Sequence, residues 1–188
     1  MSSSLKVPSD LLYAIRDVLA ATLPETYVGL LDEQAGAPGA ASILIEPVSM
    51  LCTTGRGGDG RHAHDMGIAL HAVIGKGRDR AVRDAVDLAA AAQQLVDDNC
   101  WGLPASRVYA PRNLRAHRRN FFYEQTRYEA WRVLFFQIIH LGEPLYDDPV
   151  VSGDGLRVTN ANASNINDPA QYSPLSVVAT KGGSACVV

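Results

Sequence analysis

The glycine-rich segment GRGGDG, residues 55–60, has the G-x-G-x-x-G spacing of loops that bind dinucleotide phosphates. That chemistry requires a helix directly after the glycines, because the helix N-terminus holds the pyrophosphate. Here the next element, from Met66, alternates apolar and polar residues in the manner of a strand. We therefore predict the tip of a mobile hairpin loop, Thr53 to Asp65, and no bound cofactor.

Two histidines in the same loop, His62 and His64, could offer two imidazoles to one metal ion, with Cys52 and His71 as further ligands. A metal site also needs a fixed geometry and partners that orient the ligands. A flexible loop supplies neither, and loop histidines are usually solvated. The sequence therefore predicts no metal site.

Catalytic motifs are missing from the sequence: it contains neither G-x-S-x-G nor H-E-x-x-H. Cys100 follows a predicted helix, whose C-terminal dipole raises the pKa of a thiol and weakens it as a nucleophile. The acidic pairs at 97–98 and 147–148 lie at the ends of elements, where adjacent side chains diverge. We therefore predict that the protein is not an enzyme.

Arginines and aromatic residues alternate between Arg107 and Arg127. This composition is typical of nucleic-acid binding through phosphates and stacked bases, and equally of protein–protein interfaces. Acidic residues nearby, such as Glu124 and Glu129, favour ion pairs between subunits over a DNA groove. The predicted interface residues are Arg112, Arg115, Arg118, Arg119, Phe121, Phe122 and Trp131.

The bulk composition indicates one globular domain with an extension: 188 residues, 47% hydrophobic and 20% charged. The net charge of −3 argues against a general polyanion binder. Three widely spaced cysteines, Cys52, Cys100 and Cys186, predict thiols in a reducing compartment. The sequence shows no signal-peptide pattern and no apolar run of about twenty residues, so we expect a protein made in the cytoplasm without a membrane partner.

The first half of the chain predicts one helix and three strands. Ser9 or Asp10 would cap the helix, whose apolar positions Leu12, Ile15 and Leu19 recur at helical spacing. The predicted strands are Tyr27–Leu31, Ile43–Leu51 and Met66–Ile74, the last with its even-numbered residues on one apolar face. Pro47 predicts an edge position or a bulge.

The second half predicts a helix over Asp79–Asp98 and a central strand over Arg127–Leu141. The apolar stripe of the helix comprises Val82, Ala85, Val86, Ala89, Ala92, Leu95 and Val96. The strand RYEAWRVLFFQIIHL is apolar on both faces, so we expect the helix to cover one face and a neighbouring subunit to contact the other.

The overall prediction is an α/β (α+β) fold. It consists of a mixed, mainly antiparallel sheet with helices packed on one face, formed by residues 1–146. Residues 147–188 are rich in turn signals such as GDG, TNANASN and KGGS, and we expect an extended C-terminal arm. Within it, the apolar segment LSVVA, residues 175–179, would pair with a partner.

This order of elements resembles the tail terminator proteins of tailed bacteriophages. The resemblance covers about the first 145 residues, in the helix LLYAIRDVLAATLP, the strand DMGIALHAVIG with the helix RDRAVRDAVDLAAAAQQLVDD, and the strand YEAWRVLFFQIIHLGEP. It concerns architecture, without a specific motif, and the arm extends beyond the small family members.

The resemblance implies a structural virion protein of the tail or neck region: a homohexameric ring that caps the tail tube, stops its polymerisation and joins the head. Implied partners are the tail tube protein, a neck or head-completion protein and, as a further candidate, the sheath protein. DNA would pass through the lumen without sequence-specific binding. The residues expected to contact tube or neck are Gly55, Arg56, Gly57, Gly58, Asp59, Gly60, Arg61 and His62.

Two alternatives remain open from the sequence. A neck or head-completion protein that bridges portal and tail uses similar small folds and arms. A small enzyme or ligand-binding domain that uses the glycine-rich loop is the other, and a ligand that raises the melting temperature would favour it.

Overall fold

A computed structural model describes residues 5–56, 60–75 and 79–143, and two short strands beyond them. The elements, in chain order, are α1 (Pro8–Thr22), β1 (Tyr27–Leu30), a 3₁₀ turn (Leu31–Glu33), β2 (Ala41–Arg56), β3 (His62–Ile74), α2 (Ala81–Val96), β4 (Arg112–Tyr123), β5 (Thr126–Leu141), β6 (Arg157–Val158) and β7 (Ser173–Pro174).

Five of the strands form one sheet in the order β1-β2-β3-β5-β4. β1 is parallel to β2, whereas β2–β3, β3–β5 and β4–β5 are antiparallel. The predicted α+β fold, with a mixed and mainly antiparallel sheet, is confirmed. β5 lies inside the sheet, as predicted, between β3 and β4.

Both helices pack on the same face of this sheet, which we call the helix-covered face. Ile15 and Leu19 of α1 and Ala89 of α2 belong to one buried cluster with Ile68 of β3 and Phe135 of β5. Short alanine side chains let α2 approach the strands closely, and Ala is also the best helix former. Among residues 5–56, 60–75 and 79–143 no helix covers the opposite face, which we call the open face, although side chains on it such as Leu44, Val73 and Ala130 are buried.

The start of α1 differs slightly from the prediction. The helix is capped at Val7, and Ser9 lies inside it. Asp10 acts from the third helical position, where its carboxylate accepts the backbone N–H groups of Lys6 and Val7 at 2.7 and 3.0 Å. These two bonds satisfy donors that the first helical turn leaves without partners. The predicted apolar positions of this helix are buried.

The apolar stripe predicted for α2 is correct at its centre and wrong at one flank. Ala85, Ala89, Ala92 and Val96 are buried, while Val82 and Val86 are substantially exposed. The helix is rotated so that the opposite flank, with Leu88 and Leu95, packs against the core.

The two-sided burial predicted for β5 is confirmed within the chain. Val133 and Phe135 are buried on the helix-covered face, and Ala130 and Leu134 are buried on the open face. The same holds for β3, for which the sequence predicts only one apolar face. Its second face contains small or polar residues, which do not show a hydrophobic pattern although they are buried: Gly67, Ala69, His71 and Val73.

Pro47 lies where β2 changes register. The pairing with β3 shifts between Pro47 and Ser49, so the predicted bulge is confirmed. β1 pairs with β2 only up to Ile45. The edge of β2 beyond that residue has no neighbouring strand among residues 5–143, and the missing N–H of proline therefore costs no ladder hydrogen bond.

Gln137 fixes the connection between α2 and β4 onto the sheet. Its buried amide accepts the indole N–H of Trp101 at 2.8 Å and donates to the carbonyl oxygens of Asn99 and Tyr109. A single glutamine thereby satisfies three buried polar groups, which is how a polar side chain is tolerated inside a core. The network determines where the chain enters β4.

Contacts divide the chain into two compact units, residues 1–146 and 147–188. In the second unit β6 and β7 form a two-stranded antiparallel ladder. The predicted pairing segment, residues 175–179, lies outside the described residues.

Candidate functional site

The predicted interface residues lie mainly on β4, the outermost strand of the sheet. Within the described chain β4 pairs only with β5, so its other edge has no neighbouring strand. Its register with β5 places Arg115 and Arg119 on the open face and Arg118 and Phe122 on the helix-covered face. A free edge twelve residues long is a site at which another chain can add.

Two of the four predicted interface arginines form ion pairs within the chain. Arg118 donates to Glu129 at 2.7 Å, and Arg112 donates to Asp65. For Arg115 and Arg119, which are exposed, the structure gives no ion pair among residues 5–143. These two guanidinium groups are therefore the ones available for a charged partner.

The aromatic residues predicted for the interface divide into three environments. Phe122 is 60% exposed at the edge. Phe121 is half-buried on the open face, with its ring centroid 6.5 Å from that of Tyr128 and 5.9 Å from that of His71. Trp131 is partly buried and packs against the main core on the helix-covered face, and its assignment to an interface stays a prediction.

The glycine-rich loop is shorter than predicted. β2 continues to Arg56 and β3 begins at His62, because ladder pairing extends through Cys52–His64 and Arg56–His62. The hydroxyl of Thr53 also donates to the carbonyl of Ala63 at 3.3 Å.

Of the loop residues predicted to contact the tube or neck, those numbered 57–59 lie outside the described residues. Gly60 has a positive φ of 81°, which suits a tight turn. Arg61 is only 9% exposed, so little of its side chain is accessible, and its contact with another protein stays a prediction. His62 is exposed at the start of β3, opposite Leu141 of β5.

A polar cluster that the sequence reasoning missed lies on the open face. Glu46 of β2 accepts a hydrogen bond from His71 Nε2 at 2.8 Å, and Arg132 Nη2 lies 3.6 Å from the same carboxylate oxygen. Burial lowers the pKa of His71, and the hydrogen bond with Glu46 opposes this only in part. Each of the three is a polar residue with apolar neighbours on both sides in the sequence, and they lie on three adjacent strands, which was the available signal.

The histidines and cysteine weighed as metal ligands do not converge. Cys52 and His64 face each other across β2 and β3 on the helix-covered side, whereas His71 has the opposite parity seven residues further along β3. No group of three or more metal-binding side chains occurs within the described ranges.

The thiol of Cys100 has a raised pKa, as predicted. The main cause is burial, with the nearby charge of Asp98 adding to it. Its Sγ donates to the carbonyl oxygen of Val108 at 3.4 Å. A thiol with a raised pKa is a weak nucleophile at neutral pH.

No protein-family model matches the chain, and a search of the curated proteins gives no match. Of the helices that the structure describes, none has the length and apolar character needed to cross a bilayer. Function is therefore inferred from the residues and contacts described above.

Proposed function

We propose that this protein is a structural subunit of a tailed-phage virion, and that copies of it form a ring that caps the tail tube and provides the surface that joins the head. The observation with most weight is β4: an exposed outer strand, rich in arginine, with a free edge. Folded proteins normally shorten, cover or charge such edges, because exposed backbone groups recruit other chains.

The composition of β4 suits selective pairing. Its arginines discourage β4 edges of identical copies from joining through like-charge repulsion, and they remain able to bind a partner with negative charge. The exposed ring of Phe122 adds the kind of aromatic anchor that is enriched at binding hot spots. Both features support an assembling subunit.

The arrangement of the sheet supports the same function. The outer strands β1 and β4 each have an edge without a neighbouring strand among the described residues, and these edges remain available for neighbouring molecules. A contact between two different surfaces of identical subunits generates a ring when the rotation closes. The expected hexamer comes from the resemblance to tail terminators alone.

The test is polymerisation of the tail tube protein from the same phage, with and without the purified full-length chain. We expect the chain to stop elongation when present at far fewer copies than the tube protein, and electron microscopy to show an added ring at one tube end. Arg119→Glu should raise the concentration for half-maximal capping at least about tenfold, which is about 1.4 kcal/mol. Arg83→Glu, an exposed change on α2, is the matched control.

Tubes of unchanged length with bare ends would contradict a terminator. Binding of the chain to neck or portal protein instead of tube would assign it to the neck. Co-sedimentation with each of these purified proteins distinguishes the two cases.

A further inference from the structure

The two ends of the sheet have free strands and opposite charge. β4 forms one end and β1 the other, and neither has a second neighbouring strand among residues 5–143. Residues 112–127, at the β4 end, contain five arginines and one glutamate, a net charge of +4. Residues 13–33, which lead into and out of β1, contain four acidic residues and one arginine, a net charge of −3.

At each end, charged groups remain available for a partner. Arg115 and Arg119 are exposed at the basic end, and Glu25 and Asp32 are exposed at the acidic end. For none of these four does the structure give an ion pair within residues 5–143. Glu33, by contrast, accepts a hydrogen bond from the hydroxyl of Tyr13 at 3.1 Å and is less free to reorient.

Exposed aromatic rings flank both charged sets. Phe122 is 60% exposed at the basic end, and Tyr27 is 49% exposed on β1 at the acidic end. Arginine and tyrosine are among the residues that contribute most to protein–protein interfaces. Each end therefore combines an aromatic surface with charge of a single predominant sign.

We infer that copies of this chain associate head to tail, with the β4 edge of one copy against the β1 and 3₁₀-turn edge of the next. This inference rests on the proposed ring and specifies its interface. Two β4 edges facing each other would place Arg115 and Arg119 against the same arginines, and two β1 edges would place Glu25 and Asp32 against the same acids, so a two-fold contact at either end is disfavoured. Only the unlike pairing brings Arg115 and Arg119 towards Glu25 and Asp32.

The test uses charge reversal at each end of the full-length chain. The basic-end variant is Arg115→Glu with Arg119→Glu, and the acidic-end variant is Glu25→Lys with Asp32→Lys. Mass photometry of the protein alone, and co-sedimentation of the protein on tubes, measure assembly. We expect each variant to assemble at least tenfold more weakly than the wild type.

Mixing the two variants is the decisive step. In the mixture the four substituted positions again carry opposite charges, and the two unchanged ends still match each other, so alternating copies should restore assembly to within about threefold of the wild type. Matched double reversals at exposed positions of α2 and of the residues that flank it, Arg80→Glu with Arg83→Glu and Asp87→Lys with Asp97→Lys, should leave assembly unchanged. Circular dichroism and melting temperature verify that every variant is folded.

Several results would overturn the head-to-tail contact. If the acidic-end variant assembles like the wild type, β4 pairs with something other than the β1 end. If the mixture stays unassembled, the two ends do not meet. If the basic-end variant assembles normally and loses only salt-dependent DNA binding, β4 is a nucleic-acid surface.

The proposed function and this contact can fail separately. If the wild type forms rings that cap tubes, and both reversal variants do so equally well, the contact is wrong and the proposed function stands. Assembly that follows the charge reversals, without any effect on tubes, would retain the contact and remove the tail-terminator role. A wild type that is monomeric both alone and with tubes would remove both.

Discussion

The open-face cluster of Glu46, His71 and Arg132 shows how single residues constrain this sheet. Glu46 as a carboxylate can only accept, so the Nε2 of His71 must hold the proton of their 2.8 Å hydrogen bond. His71 is 5% exposed, and burial makes its charged form costly. The folded protein therefore holds a neutral imidazole at neutral pH.

The lowered pKa of His71 predicts a loss of stability in mild acid. In the unfolded chain His71 takes up a proton near pH 6.5, whereas in the folded chain it does so only at lower pH. The stabilising contribution of neutral His71 is therefore fully present above pH 6.5 and is lost as the pH falls towards the pKa of the folded state. The slope from this one group is at most about 1.4 kcal/mol per pH unit.

Urea unfolding of the wild type and of His71→Gln at pH 5.5 and 7.5 measures this effect. The glutamine retains a donor for Glu46 but does not titrate, so the difference in unfolding free energy between the two pH values should shrink. His117→Gln, on an exposed position of β4, is the control and should behave as the wild type. Equal pH dependence in wild type and His71→Gln would contradict the assignment.

For single residues, the sequence predicts which exposed positions are charged better than it predicts which residues they pair with. The exposed arginines of β4 are evident from composition, because arginine is seldom buried without a partner. The pairing of Arg112 with Asp65, 47 positions apart in the sequence, depends on the register of β3, β5 and β4, and register cannot be derived from a single strand. Trp131 shows a related ambiguity, since an aromatic residue suits a core and an interface equally.

Among the elements, long and strongly patterned ones were predictable. β5 is apolar on both faces, which requires cover on both sides, and it lies inside the sheet. The second buried face of β3 was missed, because Gly67 and Ala69 have too little apolar surface to produce a pattern. The predicted loop at residues 53–65 is too long. Glycine and polar residues give no strand pattern, although in this segment they pair in the ladder between β2 and β3.

Gly75, directly after β3, lies close to the backbone of the β1–β2 connection, and we expect its replacement to destabilise the fold. A Cβ added at Gly75 would lie 2.6 Å from the carbonyl oxygen of Gly39, and the N–H of Gly75 donates to the carbonyl of Ala40. The clash is with backbone, so it cannot be relieved by rotating a side chain. Gly75→Ala should therefore lower the free energy of unfolding by about 1–3 kcal/mol.

Chemical denaturation measures this loss, and Gly36→Ala is the matched control, because nothing lies within 4 Å of a Cβ added there. Gly36 lies in the β1–β2 connection, whose backbone Gly75 approaches, so the control separates the close approach from a general effect of glycine replacement. Unchanged stability in Gly75→Ala would show that the 39–40 backbone moves freely away from β3.

For the whole molecule, the division into residues 1–146 and 147–188 predicts separable roles. Removing residues 147–188 should change the free energy of unfolding by less than about 1 kcal/mol, because the main cores lie within the first unit. The same truncation should weaken assembly at least about tenfold, if the arm binds a neighbour. Thermal melting and mass photometry of the truncated chain measure the two effects, and a chain that no longer folds would show that the arm belongs to the core.

The most direct test of a head-to-tail ring is the mass distribution of the full-length protein in solution and on tail tubes. The chain has opposite charge at the two ends of its sheet, so copies should add in one direction until the ring closes. Mass photometry should show one discrete closed species, six copies by resemblance to tail terminators, that dissociates as salt concentration rises. A strictly monomeric chain at every concentration, alone and with tube protein, would contradict the account.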